Sequence, residues 1–282
     1  MRNKLVFIVA LMATALLHAQ TSVVSFADTY MGTWLDGSAC AVKQPIVGYQ
    51  PTTPGSYPLF VYLVGSLEPY NDATADAVLR AAAARGWVAI SAKYNNGLNH
   101  DCTTLNNKAA CLFNGTAQSA ISKGCARADC SQGVLLGGMS QGSQIALIAA
   151  NYDARAGRGV WAQGVSMSSG VPLDSCLSNG MRVLPGGNIR VVNGEHDQFA
   201  PDQSAAEAIT GHVCAPGTKE CVYPDKSGWY RVQDNEVTSG YADHTYFVKG
   251  FPPVFEPAYL PPYQTPWSIA YNLDYLQARL GH

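Results

Sequence analysis

The sequence predicts an α/β fold with a mostly parallel sheet flanked by helices on both faces, and three observations carry that expectation. Runs that read as strands alternate with runs that read as helices along the 282 residues. The strand runs are apolar almost throughout, as strands covered on both faces are. Glycine and polar turns punctuate the changes from one to the other.

Residues 57–64 (YPLFVYLV) form the first such run, which stops at Gly65. DATADAVLRAAAARG follows, with an acidic start and a glycine stop, and predicts a helix over residues 73–84. WVAISAKY (87–94) is the next strand, so the order is that of parallel strands joined by a crossover helix. The pattern continues with a helix over 105–122, a strand at 132–138 and a helix over 143–153. Strands at 159–170 and 188–194, a helix over 204–212 and a last strand at 228–233 come next. A C-terminal helix over 267–280 places Ile269, Leu273, Leu276 and Leu280 at helical spacing. Residues 22–50 read as antiparallel edge strands. Residues 249–266, rich in proline and aromatics, read as a long loop that either wraps the core or walls a cleft.

The N-terminus carries Arg2 and Lys4, an apolar run over 5–17 and then Ala19, which is the layout of a secretory signal peptide cut after Ala19. A retained anchor is the alternative. No cysteine stands directly after that run, which argues against a lipid-modified N-terminus, and no later stretch is apolar for long enough to span a membrane. Residues 20–282 are therefore expected to form a single domain, soluble and secreted or periplasmic, with oligomeric state left open. Net charge is −2 and charged residues make up 13% of the chain, which excludes the basic footprint of a nucleic-acid binder and favours a neutral or apolar partner.

Eight cysteines in an exported chain read as disulfides, and no C-x-x-C pair suggests zinc or redox chemistry. They allow on the order of a hundred pairings. Two local bridges are expected, Cys125–Cys130 and Cys214–Cys221, with Cys102–Cys111 and Cys40–Cys176 as weaker expectations and buried free thiols as the alternative.

The segment LLGGMSQGSQIAL (135–147) places Ser140 between Gly138 and Gly142. It fails the phosphate-loop pattern because Ser143 stands where a lysine is needed, and the dinucleotide pattern because Met139 replaces the middle glycine. As a string, G-x-S-x-G says little. Its context says more: a buried strand leads in, a helix leads out, and the small neighbours permit the sharp turn of a nucleophile elbow. The helix N-terminus then favours negative charge beside the serine.

A serine nucleophile needs a histidine and a carboxylate. The strand at 188–194 ends in EHDQFA, which puts Asp197 in the loop after it, and GYADHTYF puts His244 after the last strand. The separations, 57 residues from Ser140 to Asp197 and 47 from Asp197 to His244, leave room for a strand-helix unit each. His196 and His212 are rival bases, and Glu195, Asp202 and Asp174 rival acids, Asp174 foremost. Asp243 would point away from its neighbour His244. The expected oxyanion donors are the backbone amides of Gln141 and of Ser66 or Leu67, with Ser66 favoured.

Elbow, acid loop and histidine loop together resemble the α/β-hydrolase superfamily over residues 57–280, and GMSQG locally resembles the GYSQG of cutinase-type esterases. The resemblance implies an eight-stranded, mostly parallel sheet, a Ser140–Asp197–His244 triad, acyl transfer to carboxylic esters, small or polymeric, and no metal or cofactor. Cutinases differ in having a shorter chain with acid and histidine closer together, and the loop after His244 departs from the usual short link. An amidase or peptidase on the same triad is the first alternative, and a non-catalytic binding protein the second. Tyr70, Trp161, Trp229, Phe255 and Tyr259 are candidates for an apolar cleft, against the plainer reading of core or surface aromatics.

Overall fold

The structure, a computed structural model, describes residues 22–99, 101–166 and 184–280. The chain opens with β1 (Val23–Thr33) and β2 (Ala39–Pro51), paired antiparallel as expected of an edge. The apolar runs then supply β3 (Leu59–Leu63), β4 (Val88–Ala92), β5 (Val134–Met139), β6 (Gly159–Gln163) and β7 (Ile189–Gly194), every residue of which is buried. β8 (Glu220–Val222) and β9 (Gly228–Val232) complete a nine-stranded sheet in the order β1-β2-β4-β3-β5-β6-β7-β9-β8.

Neighbours from β4 through to β9 are parallel, while β2–β4 and β8–β9 are antiparallel like β1–β2. The sheet is thus mixed, and mostly parallel. It has nine strands where eight were expected because β8 joins its edge. Three residues long, β8 is too short to show a period in sequence, and it forms where the chain folds back through the Cys214–Cys221 bridge. A small separate pair, β10 (Val248–Lys249) and β11 (Val254–Phe255), lies within the proline-rich region.

Five of the six α-helices described begin where a short polar side chain accepts an amide of the first turn. Asp72 caps α1 (Ala73–Ala84), Asp101 caps α2 (Cys102–Phe113) and Ser119 caps α3 (Ala120–Cys125). α4 (Gln141–Ile148) is the exception, starting at Ser140 without such a bond. Asp202 caps α5 (Gln203–Thr210) and Ser268 caps α6 (Ile269–Gln277). The single helix expected over 105–122 is two, because Asn114-Gly115 breaks it with Gly115 at φ 71°. The helix expected over 143–153 loses its regular form after Ile148, continuing as a 3₁₀ turn at Ala149–Asn151.

Alternation along β3 sends its side chains to two faces. Leu59 lies against Gly124 of α3, whereas Phe60 and Tyr62 pack with Trp87 and Trp161. Trp87 Nε1 donates to Gln277 Oε1 at the end of α6, 2.9 Å away, so α3 and α6 cover opposite faces. One apolar cluster runs from Tyr30 to Leu276.

The proline-rich region sends Tyr259 into this core, where it is fully buried, stacks near Phe247 and Trp267, and donates to Gln163 Oε1. The region therefore wraps the core at the carboxyl end of β6. Trp161, Trp229 and Tyr259 are core residues, while Tyr70 and Phe255 are partly exposed.

Cys125–Cys130 and Cys214–Cys221 are bonded as expected. Two pairings are corrected. Cys111 bonds Cys40, not Cys102, and Cys40 is therefore not the partner of Cys176, which lies outside the described residues. The physical reason is that α2 begins at Cys102, so both cysteines lie on one helix about 13 Å apart along its axis, beyond the reach of a disulfide. Cys102 is itself disulfide-bonded, and no described cysteine is a free thiol. These bridges are compatible with a secreted chain. No helix among the described residues is long and apolar enough to cross a membrane.

Candidate active site

β5 runs directly into α4 through Ser140, which sits at φ 52°, ψ −119°. A non-glycine residue seldom adopts this strained conformation. It persists because strand and helix are pressed together: a Cβ at Gly138 would strike the backbone of Gly142, and one at Gly142 would strike the carbonyls of Leu63 and Val64. The Ser140 amide donates to Gln163 O at 2.9 Å, tying the turn to the end of β6. Ser140 is 8% exposed and its hydroxyl does not cap the helix. Gln141 is the first residue of α4, so its amide has no acceptor within the helix.

Asp197 follows β7. Its Oδ1 accepts the Phe199 amide at 2.9 Å, and its Oδ2 accepts both Asn193 Nδ2 and His244 Nδ1, each at 2.9 Å. The Asp197 side chain is fully buried and that of His244 is 20% exposed. A carboxylate on Nδ1 holds the proton there and leaves Nε2 as the basic nitrogen. Phe199 packs edge-on against the imidazole, with ring centroids 5.1 Å apart. Gly164, which follows β6, lies where a Cβ would come within 3.3 Å of the His244 carbonyl oxygen and strike Met139 Sδ. The segments that carry Ser140 and His244 therefore meet at the end of β6.

The rival residues have other occupations. His196 Nε2 pairs with Asp234 at 2.9 Å and its ring stacks on Tyr241, while buried His212 pairs with Ser227 Oγ and stacks on Tyr223. Glu195 pairs with Lys219, Asp202 caps α5, and Asp243 turns to Lys249 Nζ at 2.6 Å. Glu195, His196 and Asp234 approach one another closely enough to share a cation, but Lys219 already holds Glu195. Asp174 lies outside the described residues.

The 65–68 loop after β3 faces the elbow. Leu67, at φ 64°, commits its amide to Asn96 O at 3.0 Å. Asn96 Nδ2 holds the loop from the other side, donating to Gly65 O and Glu68 O at 2.7 Å each.

Two charged residues were not singled out in sequence. Glu68 folds back so that Oε2 accepts the Gly65 amide. A Cβ at Gly65 would be 2.8 Å from Glu68 Oε2 and 3.2 Å from Ser140 Cβ, so a carboxylate stands beside the candidate nucleophile. Burial pushes its pKa up to about 6, against the opposing pull of the Gly65 amide and His244. Lys108, on α2, is 3% exposed and reaches the side chain of Gln141. Neither residue belongs to a recognisable pattern: Glu68 turns back on its own loop, and Lys108 reaches a residue 33 positions away.

No protein-family model matches the chain, and no curated protein matches it.

Proposed function

We propose that this chain is a secreted serine hydrolase of the α/β-hydrolase type that cleaves carboxylic esters. The observation that carries the reading is the Asp197–His244 hydrogen bond at 2.9 Å, delivered to the same strand end as a serine held at φ 52°. In this reading His244 Nε2 removes the proton as Ser140 Oγ attacks the ester carbonyl. Asp197 keeps the imidazole oriented and stabilises its charged form. The amides of Gln141 and Ser66, with the N-terminus of α4 behind the first, receive the oxyanion. Collapse breaks the bond to the alkoxy group, which leaves as the alcohol with the proton from His244. Water then attacks the acyl-enzyme, giving up its proton to His244, and releases the acid and the free serine.

The test is hydrolysis of p-nitrophenyl esters of graded chain length, with p-nitroanilides as the amide arm, by the mature protein and by Ser140→Ala. Ester turnover is expected to fall by about a thousandfold or more in Ser140→Ala. A fluorophosphonate probe is expected to label the wild type and not the variant. Equal labelling of the two would remove Ser140 as nucleophile, and turnover of anilides alone would move the protein to the amidases.

A further inference from the structure

Behind the elbow lies a buried cation that the acyl-transfer scheme does not use. Lys108 Nζ donates to Gly97 O at 3.1 Å, Asn99 O at 3.0 Å and Gln141 Oε1 at 3.0 Å, which occupies all three ammonium protons. Gln141 Nε2 in turn donates to Gly97 O at 2.9 Å. The Gln141 side chain is fully buried, so the residue that follows Ser140 is anchored by its side chain while its amide stands at the start of α4. The same 95–99 segment carries Asn96, which holds the 65–68 loop. One ammonium thus braces both segments that supply the candidate oxyanion amides.

We propose that Lys108 is a positioning residue for the oxyanion site: its ammonium fixes the Gln141 amide and the 95–99 segment, and its charge lies behind the place where negative charge develops. The proposal rests on the reading of Ser140 as nucleophile. No carboxylate among the described residues bonds the ammonium, so none of them cancels its charge at contact distance. A buried cation without an ionic partner is costly as a purely structural device, because neutral groups would fill the same space without desolvation. Placed beside a developing oxyanion, the same charge stabilises the transition state more than the ground state.

Lys108 also lines a cavity of about 340 Å³ with Tyr30, Trp34, Tyr94 and Asn96, which gives water and hydroxide a route to it. Burial lowers its pKa to about 8, with Asp101 at the start of α2 pulling the other way. Among the described residues, the other titratable side chains lining this cavity are Tyr30, Tyr94 and Lys93. Burial pushes the Tyr30 and Tyr94 hydroxyls well above their usual range, and Tyr152, which bonds Asn106 on the same helix, is also raised. Lys93 is solvent-exposed, and α4 carries no titratable side chain.

The experiment compares wild type, Lys108→Met and Gln141→Glu across pH 6–10 on a p-nitrophenyl ester, with ¹⁵N-labelled protein read in parallel. In wild type, kcat is expected to fall on the alkaline side with a midpoint near 8. Lys108→Met is expected to lose about ten- to a hundredfold in kcat at pH 7 with KM little changed, and to show no alkaline fall. Gln141→Glu sets a carboxylate against the ammonium and is expected to move the midpoint up by about one unit. The Gln141 amide shift is expected to follow the wild-type midpoint. An alkaline fall that persists in Lys108→Met, or a midpoint unmoved in Gln141→Glu, overturns the proposal, and the second holds even if Lys108→Met does not fold. If no ester is turned over, the ester reading fails, while a Gln141 amide that does not move near that pH still overturns the role of Lys108.

Discussion

Glu68 shows how much a single side chain can decide at this site. Its carboxylate holds the Gly65 amide, yet burial raises its pKa from 4.5 to about 6. Between those values the folded chain binds more protons than the unfolded one, so the residue's contribution to stability falls as pH rises through this window. Glu68→Gln keeps an acceptor for Gly65 and removes the charge. Measured by urea unfolding, the variant is expected to gain about 1–2 kcal/mol relative to wild type on going from pH 4.5 to pH 7. A difference that does not vary with pH would mean that the carboxylate does not titrate there.

Residues of this kind were out of reach of the sequence for a definite reason. Ser140, Asp197 and His244 are each marked by a local context of strand end, loop or helix start, and the structure joins the last two by a hydrogen bond. Glu68, Lys108 and Asn193 have no such mark, because each acts through side-chain hydrogen bonds that no sequence pattern encodes.

At the scale of elements, the elbow depends on the closeness of β5, α4 and β3. Gly142→Ala places a methyl group against the Leu63 and Val64 carbonyls, backbone atoms at the end of β3 that cannot give way as a flexible side chain would. Thermal or urea unfolding is expected to show a loss of about 2–4 kcal/mol. A variant as stable as wild type would mean that α4 can shift away from the strand. The elements themselves were largely legible. Buried parallel strands are written as unbroken apolar runs, and all of those expected appear in the sheet. What failed were boundaries and short pieces. The helix over 105–122 overran Asn114-Gly115, a turn signal that was present in the sequence, and starting it at Leu105 hid that Cys102 and Cys111 share a helix. β8 and the β10–β11 pair are too short to show a period.

Across the whole molecule, Arg190 joins an interior strand of the sheet to the C-terminal segment. It is fully buried on β7 and donates to Asn272 Oδ1 at 2.6 Å, Lys226 O at 2.7 Å and Pro266 O at 2.6 Å. Burial lowers its pKa to about 10, so it remains charged at neutral pH. Arg190→Met fills similar space but leaves three buried acceptors without this donor. Stability is expected to fall by about 2–4 kcal/mol, with faster amide exchange in α6 than in α1. Unchanged stability would show that the acceptors find other donors. The Cys40–Cys111 bond acts at the same scale by a different means. It closes a ring, with the bonded residues 71 apart in sequence, that includes β3, α1, β4 and the loop bearing Glu68, while Ser140, Asp197 and His244 lie outside it. A protease that nicked the chain at exposed Leu98 would leave two pieces of backbone in one covalent molecule, with both sides of the oxyanion site still tethered to each other.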